Sequence, residues 1–499
     1  MNEATGERDS YINGEFITGP DRLGVTNPAT GQDFTEISLA DASMTESALA
    51  AARNAQPGWA RHAPLERAAV MKRIADLIDA NSETLAELIV REQGKPIAEA
   101  RGETSGSAEF FRFFAEYARR IEGEILPSDH AGEQIWIQRV PIGVVAAIIP
   151  WNYPLALVAR KVAPSMIAGN SIVLKSHENT PLSALAMARL FHHSGVPRGV
   201  VNIISGLGSV VGEAMCASDE VDLITMTGSV PTGKRIMRNA ADRLTPVSLE
   251  LGGKAPFIVM ADADLDLAVR SAASSRYMNC GQVCICNERT FVERSVHDAF
   301  VARFIEVSKS LRIGDPMDES TDLGPKVSLA ELEKVEKRVD AAVEAGAEIL
   351  YGGGRTEGMK GGYYYNPTVI GGVTDAMSIM QDETFGPVIP IVPFDSFDDV
   401  VTSANNSRYG LSAYLFTNNL KQVMEAVNTV EFGELYINRI GPESLQGYHV
   451  GYRNSGPGGD DGTHGLETYL RKKTVYVNYS DGPTTGLMPY GKQDAGEAS

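Results

Sequence analysis

The stretch that decides the fold is VPIGVVAAIIPWNYPLALVA, residues 140–159. It is almost wholly apolar, and its length approaches that of a membrane-spanning helix. Three prolines and the pair Trp151-Asn152 interrupt it, however, and a long helix in lipid does not survive such interruptions. The stretch therefore predicts a buried strand over residues 143–149, then a tight loop, then a helix.

Strands and helices alternate on either side of this stretch. Upstream, apolar residues recur at helical spacing in residues 44–55, 64–93 and 107–120, and Gly94 is expected to end the second helix. Downstream, short β-rich runs alternate with amphipathic helices in two successive series, which indicates parallel sheets flanked by helices. The predicted strands are Val144–Ile149, Ile172–Leu174, Val200–Ile204, Leu223–Met226, Val247–Leu249, Phe257–Val259, Arg289–Glu293, Val388–Phe394 and Leu435–Asn438. Because Val388–Phe394 contains two prolines, it is predicted to be an edge strand.

Length and charge exclude several classes of protein. A chain of 499 residues is too long for one simple core, so two or three domains are expected. Its formal net charge of -19 argues against binding to nucleic acid or to an anionic membrane surface. The N-terminal residues are polar and show no secretory signal, so we expect a cytoplasmic protein.

A thiol and a carboxylate are the first candidates for chemistry. Cys284 follows Gly281 closely, and Glu250 precedes the pair Gly252-Gly253. Glycine lets backbone or ligand approach closely, so the two groups suggest covalent catalysis with an acid/base partner. A buried structural thiol is the alternative.

The other cysteines raise the question of a metal. The chain has four cysteines: Cys216, Cys280, Cys284 and Cys286. Zinc sites usually combine a C-x-x-C pair with a second pair or with histidines, and no such partner lies nearby in the sequence. We therefore expect no metal, and no disulfide framework in a reducing compartment.

Two glycine-rich turns follow predicted strands. Gly206–Gly212 lacks the G-x-G-x-x-G spacing and is weak evidence for a dinucleotide site. In Thr227–Gly233, glycines before a helix would let a pyrophosphate reach the helix N-terminus. A plain strand-to-helix turn is the alternative.

Polar residues lie at two further strand ends. Lys175 and Glu178 suit the hydroxyls of an adenosine ribose, and a carboxylate there would repel a 2′-phosphate. The amide of Asn152 suits donation to a developing oxyanion. Taken singly, these residues also fit a solvated charged loop and a turn.

Six motifs in order carry a family resemblance: Pro150-Trp151-Asn152, Lys175–Glu178, Gly228–Gly233, Glu250–Lys254, Gly281–Cys284 and Glu383–Pro387. The set resembles the NAD(P)-dependent aldehyde dehydrogenase superfamily from about Tyr11 to about Tyr479. Within it, Cys284–Arg289 and Gln446–His449 look like the bacterial lactaldehyde/glycolaldehyde dehydrogenase branch.

The resemblance implies an α/β fold with two Rossmann-like parallel-sheet domains, for cofactor and catalysis, plus a small β oligomerisation element. We expect an NAD-binding domain at residues 1–127 and 147–253, and a catalytic domain at residues 254–460. Residues 128–146 and 461–499 would form the bridging element and a tail. Residues 133–139 and 474–479 alternate like solvent-facing strands, and we expect them to pair and to support a homodimer or homotetramer. Residues 480–499 predict a disordered tail.

The resemblance also implies a mechanism. The Cys284 thiolate would attack the aldehyde, and the Asn152 amide would stabilise the oxyanion. Glu250 would activate the water that hydrolyses the thioester, and would help to deprotonate Cys284. With this base present, hydrolysis rather than transfer of the acyl group to coenzyme A is expected.

The implied cofactor is NAD, favoured by Glu178, with NADP left open by the unusual Ser176-His177. The residues that would hold it are Ile148, Pro150, Trp151, Lys175, Glu178, Gly208, Gly228, Ser229, Gly233, Leu251, Glu383 and Phe385.

The implied substrate pocket comprises Arg160, Ile285, Glu443 and His449. It would accept a short hydroxyaldehyde such as lactaldehyde or glycolaldehyde. Positive charge from Arg160 and His449 would equally suit a short anionic aldehyde, such as 3-sulfolactaldehyde or succinate semialdehyde. Ile285 departs from the polar Asn expected in this branch, which leaves the aldehyde open. A non-catalytic protein that retains the fold is the remaining alternative.

Overall fold

The computed structural model describes residues 8–359 and 361–481. The helices are α1 (Ala42–Arg61), α2 (Pro64–Ala80), α3 (Ser82–Gln93), α4 (Ile97–Ala115), α5 (Ala156–Ala168), α6 (Leu182–Ser194), α7 (Glu213–Ala217), α8 (Val230–Ala241), α9 (Leu265–Tyr277), α10 (Arg294–Ser310), α11 (Leu329–Glu344), α12 (Ser378–Gln381), α13 (Phe397–Asn405), α14 (Leu420–Thr429) and α15 (Gly462–Glu467). In the described part of the chain, no helix is long and apolar enough to cross a membrane.

The strands are β1 (Ser10–Ile12), β2 (Glu15–Ile17), β3 (Asp21–Asn27), β4 (Gln32–Leu39), β5 (Glu124–Pro127), β6 (Glu133–Pro141), β7 (Val144–Ile148), β8 (Ser171–Ser176), β9 (Val201–Ser205), β10 (Leu223–Thr227), β11 (Val247–Glu250), β12 (Ala255–Val259), β13 (Asn287–Glu293), β14 (Glu348–Tyr351), β15 (Thr368–Gly371), β16 (Val388–Phe394), β17 (Ser412–Phe416), β18 (Glu434–Ile437), β19 (His449–Val450), β20 (Gly459–Asp460) and β21 (Leu470–Asn478).

The first large sheet has the order β11-β10-β7-β8-β9-β1-β2, and the strands from β11 to β9 are parallel. Strand β7 is the one predicted from the opening stretch, and the loop and helix predicted after it are also present. Val145 and Ala147 point into one hydrophobic core, whereas Val144 and Ala146 point into another. Both faces of the sheet are therefore covered, as is usual for parallel strands.

The second large sheet has the order β14-β15-β16-β13-β12-β17-β18 and is parallel except for β14. The predicted α/β class with two sheet domains is confirmed. The domain boundaries themselves stay a prediction.

Three helix predictions were wrong in their bounds. Helix α1 runs to Arg61, six residues beyond the predicted end at residue 55. Residues 64–93 form two helices, because Asn81 leaves the helical region at φ -117° and its side-chain Nδ2 donates to the Leu77 carbonyl at 2.8 Å. Helix α4 begins ten residues before the predicted start at residue 107. Gly102 and Gly106 lower helix propensity in its first half, which hid the helical signal.

Strand β16 is not at an edge, contrary to prediction, since it lies between β15 and β13. Its pairing is staggered. Residues 388–390 pair with β15, and residues 391–394 pair with β13. Pro390 therefore lies in the half that pairs with β15, and Pro393 lies in the half that pairs with β13. Each half pairs along one side only, where the missing N–H of a proline is tolerated.

A three-stranded antiparallel sheet joins the two alternating segments. Strand β6 pairs with β21 along its length, with Thr474 opposite Ile137, and with β5 on its other side. The predicted pairing is confirmed, and its use in oligomer contact stays a prediction. The tail prediction falls on residues of which only 480 and 481 are described.

Candidate active site

One cavity of about 1060 Å³ collects most of the predicted site residues. It lies where the two large sheets meet, because Glu250 ends β11 in the first sheet and Ala255 begins β12 in the second. The predicted residues that line it are Pro150, Trp151, Asn152, Arg160, Gly228, Ser229, Glu250, Leu251, Cys284, Ile285, Glu383, Phe385, Glu443 and His449.

Five predicted cofactor residues do not line this cavity: Ile148, Lys175, Glu178, Gly208 and Gly233. Ile148 ends β7, and Lys175 on β8 pairs with Glu178 at 3.1 Å. Gly208 is exposed and begins a single π-helical turn after β9. Gly233 serves packing, since a Cβ there would lie 2.7 Å from the Leu251 side chain.

The turn that presents Cys284 is conformationally strained. Asn279 and Cys280 both have left-handed backbone, at φ 50° and 55°. Such strain persists only where surrounding contacts fix it, and it concentrates at functional sites. Here the Asn279 side chain supplies those contacts, donating to the Asn152 carbonyl at 2.9 Å and accepting from Gln93 at 2.8 Å.

Glycines bring the Glu250 segment against the Cys284 turn, as the sequence predicted. A Cβ on Gly253 would lie 2.3 Å from the Cys284 carbonyl oxygen. A Cβ on Gly252 would lie 2.4 Å from a Glu383 carboxylate oxygen. No larger residue fits at either position without moving backbone or a buried carboxylate.

Asn152 is fixed by residues that the sequence did not reveal. Its Nδ2 donates to the Gln282 carbonyl at 3.0 Å, and its own carbonyl accepts from the buried Lys95 ammonium at 2.9 Å. Lys95 also pairs with buried Glu103 at 2.6 Å. The sequence around Lys95 predicted only the end of a helix. Glu103 lies in the first half of helix α4, which was not predicted. No local sequence pattern therefore indicated either residue.

Glu250 is buried in an environment that leaves its carboxyl group unsatisfied. Neither oxygen has a hydrogen-bond partner within the described residues, and His449 Nε2 lies 3.7 Å from Oε2. Burial raises the pKa of Glu250 to about 8, although the nearby His449 charge lowers it. A buried unsatisfied group of this kind is typical of a catalytic acid or base.

A cluster of charges forms one end of the cavity. His449 Nδ1 lies 3.1 Å from Glu434 Oε1, and Arg160 bonds both Glu443 and Asp461. Burial alone would lower the pKa of His449, but the Glu443 and Glu434 carboxylates hold it well above its usual range.

The carboxylates of this cluster already have cationic partners. Burial would raise the pKa of Glu443, but the Arg160 and His449 charges hold it at about 2. Although Glu434, Glu443 and His449 lie close together, Arg160 and the imidazolium fill the place of a cation, so we assign no metal.

The opposite end of the cavity fits a dinucleotide. Ser229 precedes helix α8 and makes no side-chain cap, so the Val230 and Thr232 N–H groups of its first turn lack this partner and can donate to a phosphate, whereas Pro231 has no N–H. Trp151 and Phe385 meet edge to face with ring centres 5.4 Å apart. Glu383 accepts from the Gly253 N–H at 2.9 Å, and burial raises its pKa to about 7.

Comparisons with known proteins agree with this geometry. Residues 16–475 match the model of the aldehyde dehydrogenase family. The chain is 47% identical over 475 residues to the 3,6-anhydro-α-L-galactose dehydrogenase of Streptomyces coelicolor, covering 94% of this chain and 96% of that protein. It is 44% identical over 470 residues to the lactaldehyde dehydrogenase of Escherichia coli, covering 94% and 98%. A solved structure of 3,6-anhydro-L-galactose dehydrogenase in complex with NAP superposes with a TM-score of 0.93 at 44% identity, covering 94% and 99%.

Proposed function

Because this chain belongs to the aldehyde dehydrogenase family and is an NAD(P)-dependent enzyme that oxidises small aldehydes, we propose that its substrate is a short, neutral hydroxyaldehyde. The product would be the free carboxylic acid. The observation that carries the proposal is the charge balance at the substrate end of the cavity.

The cations at this end already have carboxylate partners. Within the described residues the pairs are Arg160 with Glu443 and Asp461, Lys161 with Asp460, and His449 with Glu434. An anionic aldehyde entering here would have to displace one of these carboxylates and leave it buried without a partner, which is unfavourable. Substrate hydroxyls can instead donate to the carboxylates and accept from the imidazolium.

The residues around Cys284 support a covalent route. The Cys284 thiolate attacks the aldehyde carbon, and the oxyanion that forms lies near the Asn152 amide and the Cys284 N–H. Loss of one such donor typically raises the barrier by roughly 2.7–4 kcal/mol. Glu250, whose oxygens make no hydrogen bond to any described residue, then activates the water that hydrolyses the thioester. This base favours hydrolysis over transfer to coenzyme A.

The dinucleotide supplies the hydride acceptor when bound. The helix α8 N-terminus and Ser229 would hold its pyrophosphate, and Glu383 and Phe385 its nicotinamide end. Lys175 and Glu178 would hold the adenosine ribose. Burial alone would raise the pKa of Glu178, but the Lys175 charge outweighs it and lowers that pKa, so the carboxylate is ionised. We therefore expect NAD to be used in preference to NADP.

A panel of aldehydes tests the proposal. The rate of NADH or NADPH formation is measured with lactaldehyde, glycolaldehyde, succinate semialdehyde and 3-sulfolactaldehyde, and Cys284→Ser serves as the control. We expect kcat/KM to be higher for the neutral aldehydes by about tenfold or more, which corresponds to about 1.4 kcal/mol. A preference for the anionic aldehydes would overturn the substrate class. Turnover that survives in Cys284→Ser would overturn the covalent route.

A larger, sugar-derived aldehyde is a second candidate, favoured by space beside helix α4. Gly102 and Gly106 both line the cavity, and a Cβ on either would meet nothing within 4 Å. Phe110 on the same helix lies 5.4 Å from the Arg160 guanidinium, so this space adjoins the substrate end. If a sugar aldehyde is the substrate, Gly106→Leu should reduce its kcat/KM about tenfold or more and leave glycolaldehyde nearly unaffected. Equal effects on both would exclude this candidate.

A further inference from the structure

A buried carboxylate on β13 lies where three segments of the site meet. Glu288 is 2% exposed, and each of its oxygens faces one cation and one backbone N–H group. Oε2 accepts from the Lys254 ammonium at 2.6 Å and from the Thr384 N–H at 2.9 Å. Oε1 accepts from the Phe385 N–H at 2.9 Å and lies 3.1 Å from the Arg276 guanidinium. One side chain therefore joins segments that are far apart in the sequence.

The two cations connect this carboxylate to the segments of the base and the nucleophile. Lys254 lies in the segment that follows Glu250. Arg276 donates to the Gly281 carbonyl at 2.7 Å, in the turn that presents Cys284. Both cations are fully buried, so these contacts are formed inside the protein and not by mobile surface side chains.

The two N–H groups belong to the loop that would hold the nicotinamide end of the cofactor. Thr384 and Phe385 directly follow Glu383. Phe385 has left-handed backbone at φ 53°, a strained conformation for an aromatic residue that persists only where contacts fix it. Glu288 accepts from its N–H, and the buried Lys326 donates to its carbonyl. Both backbone polar groups of Phe385 are therefore held by buried side chains.

We propose that Glu288 is a positioning residue, which holds the Glu383–Phe385 loop against the segments of the base and the nucleophile in the geometry that hydride transfer requires. This role rests on the proposed placement of the nicotinamide beside that loop. Glu288 is not among the described residues that line the cavity, so it acts through the loop and not by touching the cofactor. A small misplacement of reacting groups is enough to slow a reaction strongly.

A carboxylate is the group that fits this position. Burial alone would raise the pKa of Glu288, but the Lys254 and Arg276 charges hold it at about 2, so the group is ionised. Its two oxygens serve the two successive N–H groups of the loop. A glutamine has nearly the same size but only one acceptor oxygen, so it can serve only one of them, and it removes the charge that both cations face.

The position of Glu383 depends on the same anchor. Its Oε1 accepts from the Gly253 N–H at 2.9 Å, next to Lys254 in the chain. Lys254 Nζ also lies 3.3 Å from Thr384 Oγ1. A loop released from Glu288 would therefore shift Glu383 relative to the segment that carries the base.

Binding of NADH and of AMP to the enzyme without aldehyde provides the test. AMP carries only the adenosine end of the cofactor, which would lie beside Lys175 and Glu178, whereas NADH also carries the nicotinamide end. The Kd of each is measured by calorimetry, with NADPH in place of NADH if the aldehyde panel shows that NADP is preferred. Hydride transfer is measured separately as the rate of the first-turnover burst, and stability by urea unfolding.

Glu92→Gln is the matched control. Glu92 is also fully buried and accepts from two successive backbone N–H groups, those of Leu182 and Ser183 at 2.6 and 2.8 Å. It is not among the described residues that line the cavity. This variant should lose stability and leave the ratio of the two Kd values unchanged.

We expect Glu288→Gln to raise the Kd of NADH about tenfold, which corresponds to about 1.4 kcal/mol, and to leave the Kd of AMP within about twofold. The burst should slow by about tenfold or more. The double variant Lys254→Met with Glu288→Gln restores the net charge of the buried group, so it should recover part of the lost stability but not the binding of NADH. It also keeps the test decisive if Glu288→Gln alone does not fold.

The proposal is overturned if Glu288→Gln leaves the Kd of NADH and the burst unchanged, or if the Kd of AMP rises as much as that of NADH. Recovery of stability and NADH binding together in the double variant would also overturn it, because a merely structural role predicts that result.

Glu383→Gln tests the placement of the nicotinamide separately. If it weakens NADH binding and Glu288→Gln does not, the positioning role alone fails. If Glu383→Gln has no effect on NADH binding, the placement of the nicotinamide is wrong, and the positioning role falls with it.

Discussion

At the scale of single residues, Glu250 is the group whose protonation should be visible in kinetics. Its pKa is raised to about 8 by burial, so below that pH the protonated form predominates and cannot accept a proton from water. The rate of acid formation should therefore rise as the pH increases through about 8. It is measured as the steady rate that follows the first-turnover burst of NADH.

The variant Glu250→Gln supplies the control for this pH dependence. The burst should remain, because thiol attack and hydride loss do not need the carboxylate, whereas the steady rate and its rise with pH should disappear. Unchanged steady turnover would remove Glu250 from the mechanism.

The residues with reactive groups could be predicted from the sequence, whereas the residues that hold them in position could not. Cys284, Glu250 and Asn152 lie in short motifs beside glycines or at a strand end, where chemistry and family resemblance agree. Lys95 and Glu103 act through distant partners, and a buried ion pair leaves no pattern in the neighbouring sequence. Glu443 was expected beside Arg160 from the family resemblance, whereas Asp461, its second carboxylate partner, was missed because it comes from another segment.

At the scale of elements, the start of helix α5 depends on the Lys95–Glu103 pair. Glu103 Oε1 accepts from the N–H groups of Leu155 and Ala156 at 2.9 and 3.1 Å, and Lys95 reaches the Asn152 carbonyl. Lys95→Met would leave the buried Glu103 without its cation, which typically destabilises a protein by about 3–5 kcal/mol. We expect a loss of this size in urea unfolding, together with a reduced kcat/KM.

A double-variant cycle distinguishes this pair from general damage to the core. Lys95→Met combined with Glu103→Gln removes both charges, so the double variant should lose less stability than the sum of the single variants. Strict additivity would mean that the two residues do not act as a pair.

The elements themselves were largely predictable, and the failures have local causes. Continuous apolar runs between turn residues predicted the parallel strands, for example β7 and β12. The predicted helix α4 was too short because glycine weakens the helical signal in the sequence. In the structure, Gly102 and Gly106 lie on this helix and line the cavity. The interior position of β16 could not be foreseen, because staggered pairing is a property of the neighbouring strands.

At the scale of the whole molecule, residues 251–254 join the two large sheets and also form part of the site. Glu250 ends a strand of the first sheet, and Gly253 lies against the Cys284 turn of the second. The relative position of the sheets therefore sets the distance between base and nucleophile. The neighbouring glycines and the family resemblance indicated that the two motifs act together, but only packing between the sheets fixes the cavity between them.

The small sheet of β5, β6 and β21 is where we expect copies of the chain to associate. Strands β21 and β5 are both edges, and an exposed edge invites pairing with another chain. The Ile125 side chain on β5 is 72% exposed. If this sheet forms the contact of a homodimer or homotetramer, Ile125→Lys should reduce the mass measured by light scattering at micromolar concentration. Leu420→Lys is the matched control, because Leu420 is 73% exposed on helix α14, away from the sheet, and should leave the mass unchanged. An unchanged mass in Ile125→Lys, or an equal effect of both variants, would contradict assembly through this sheet.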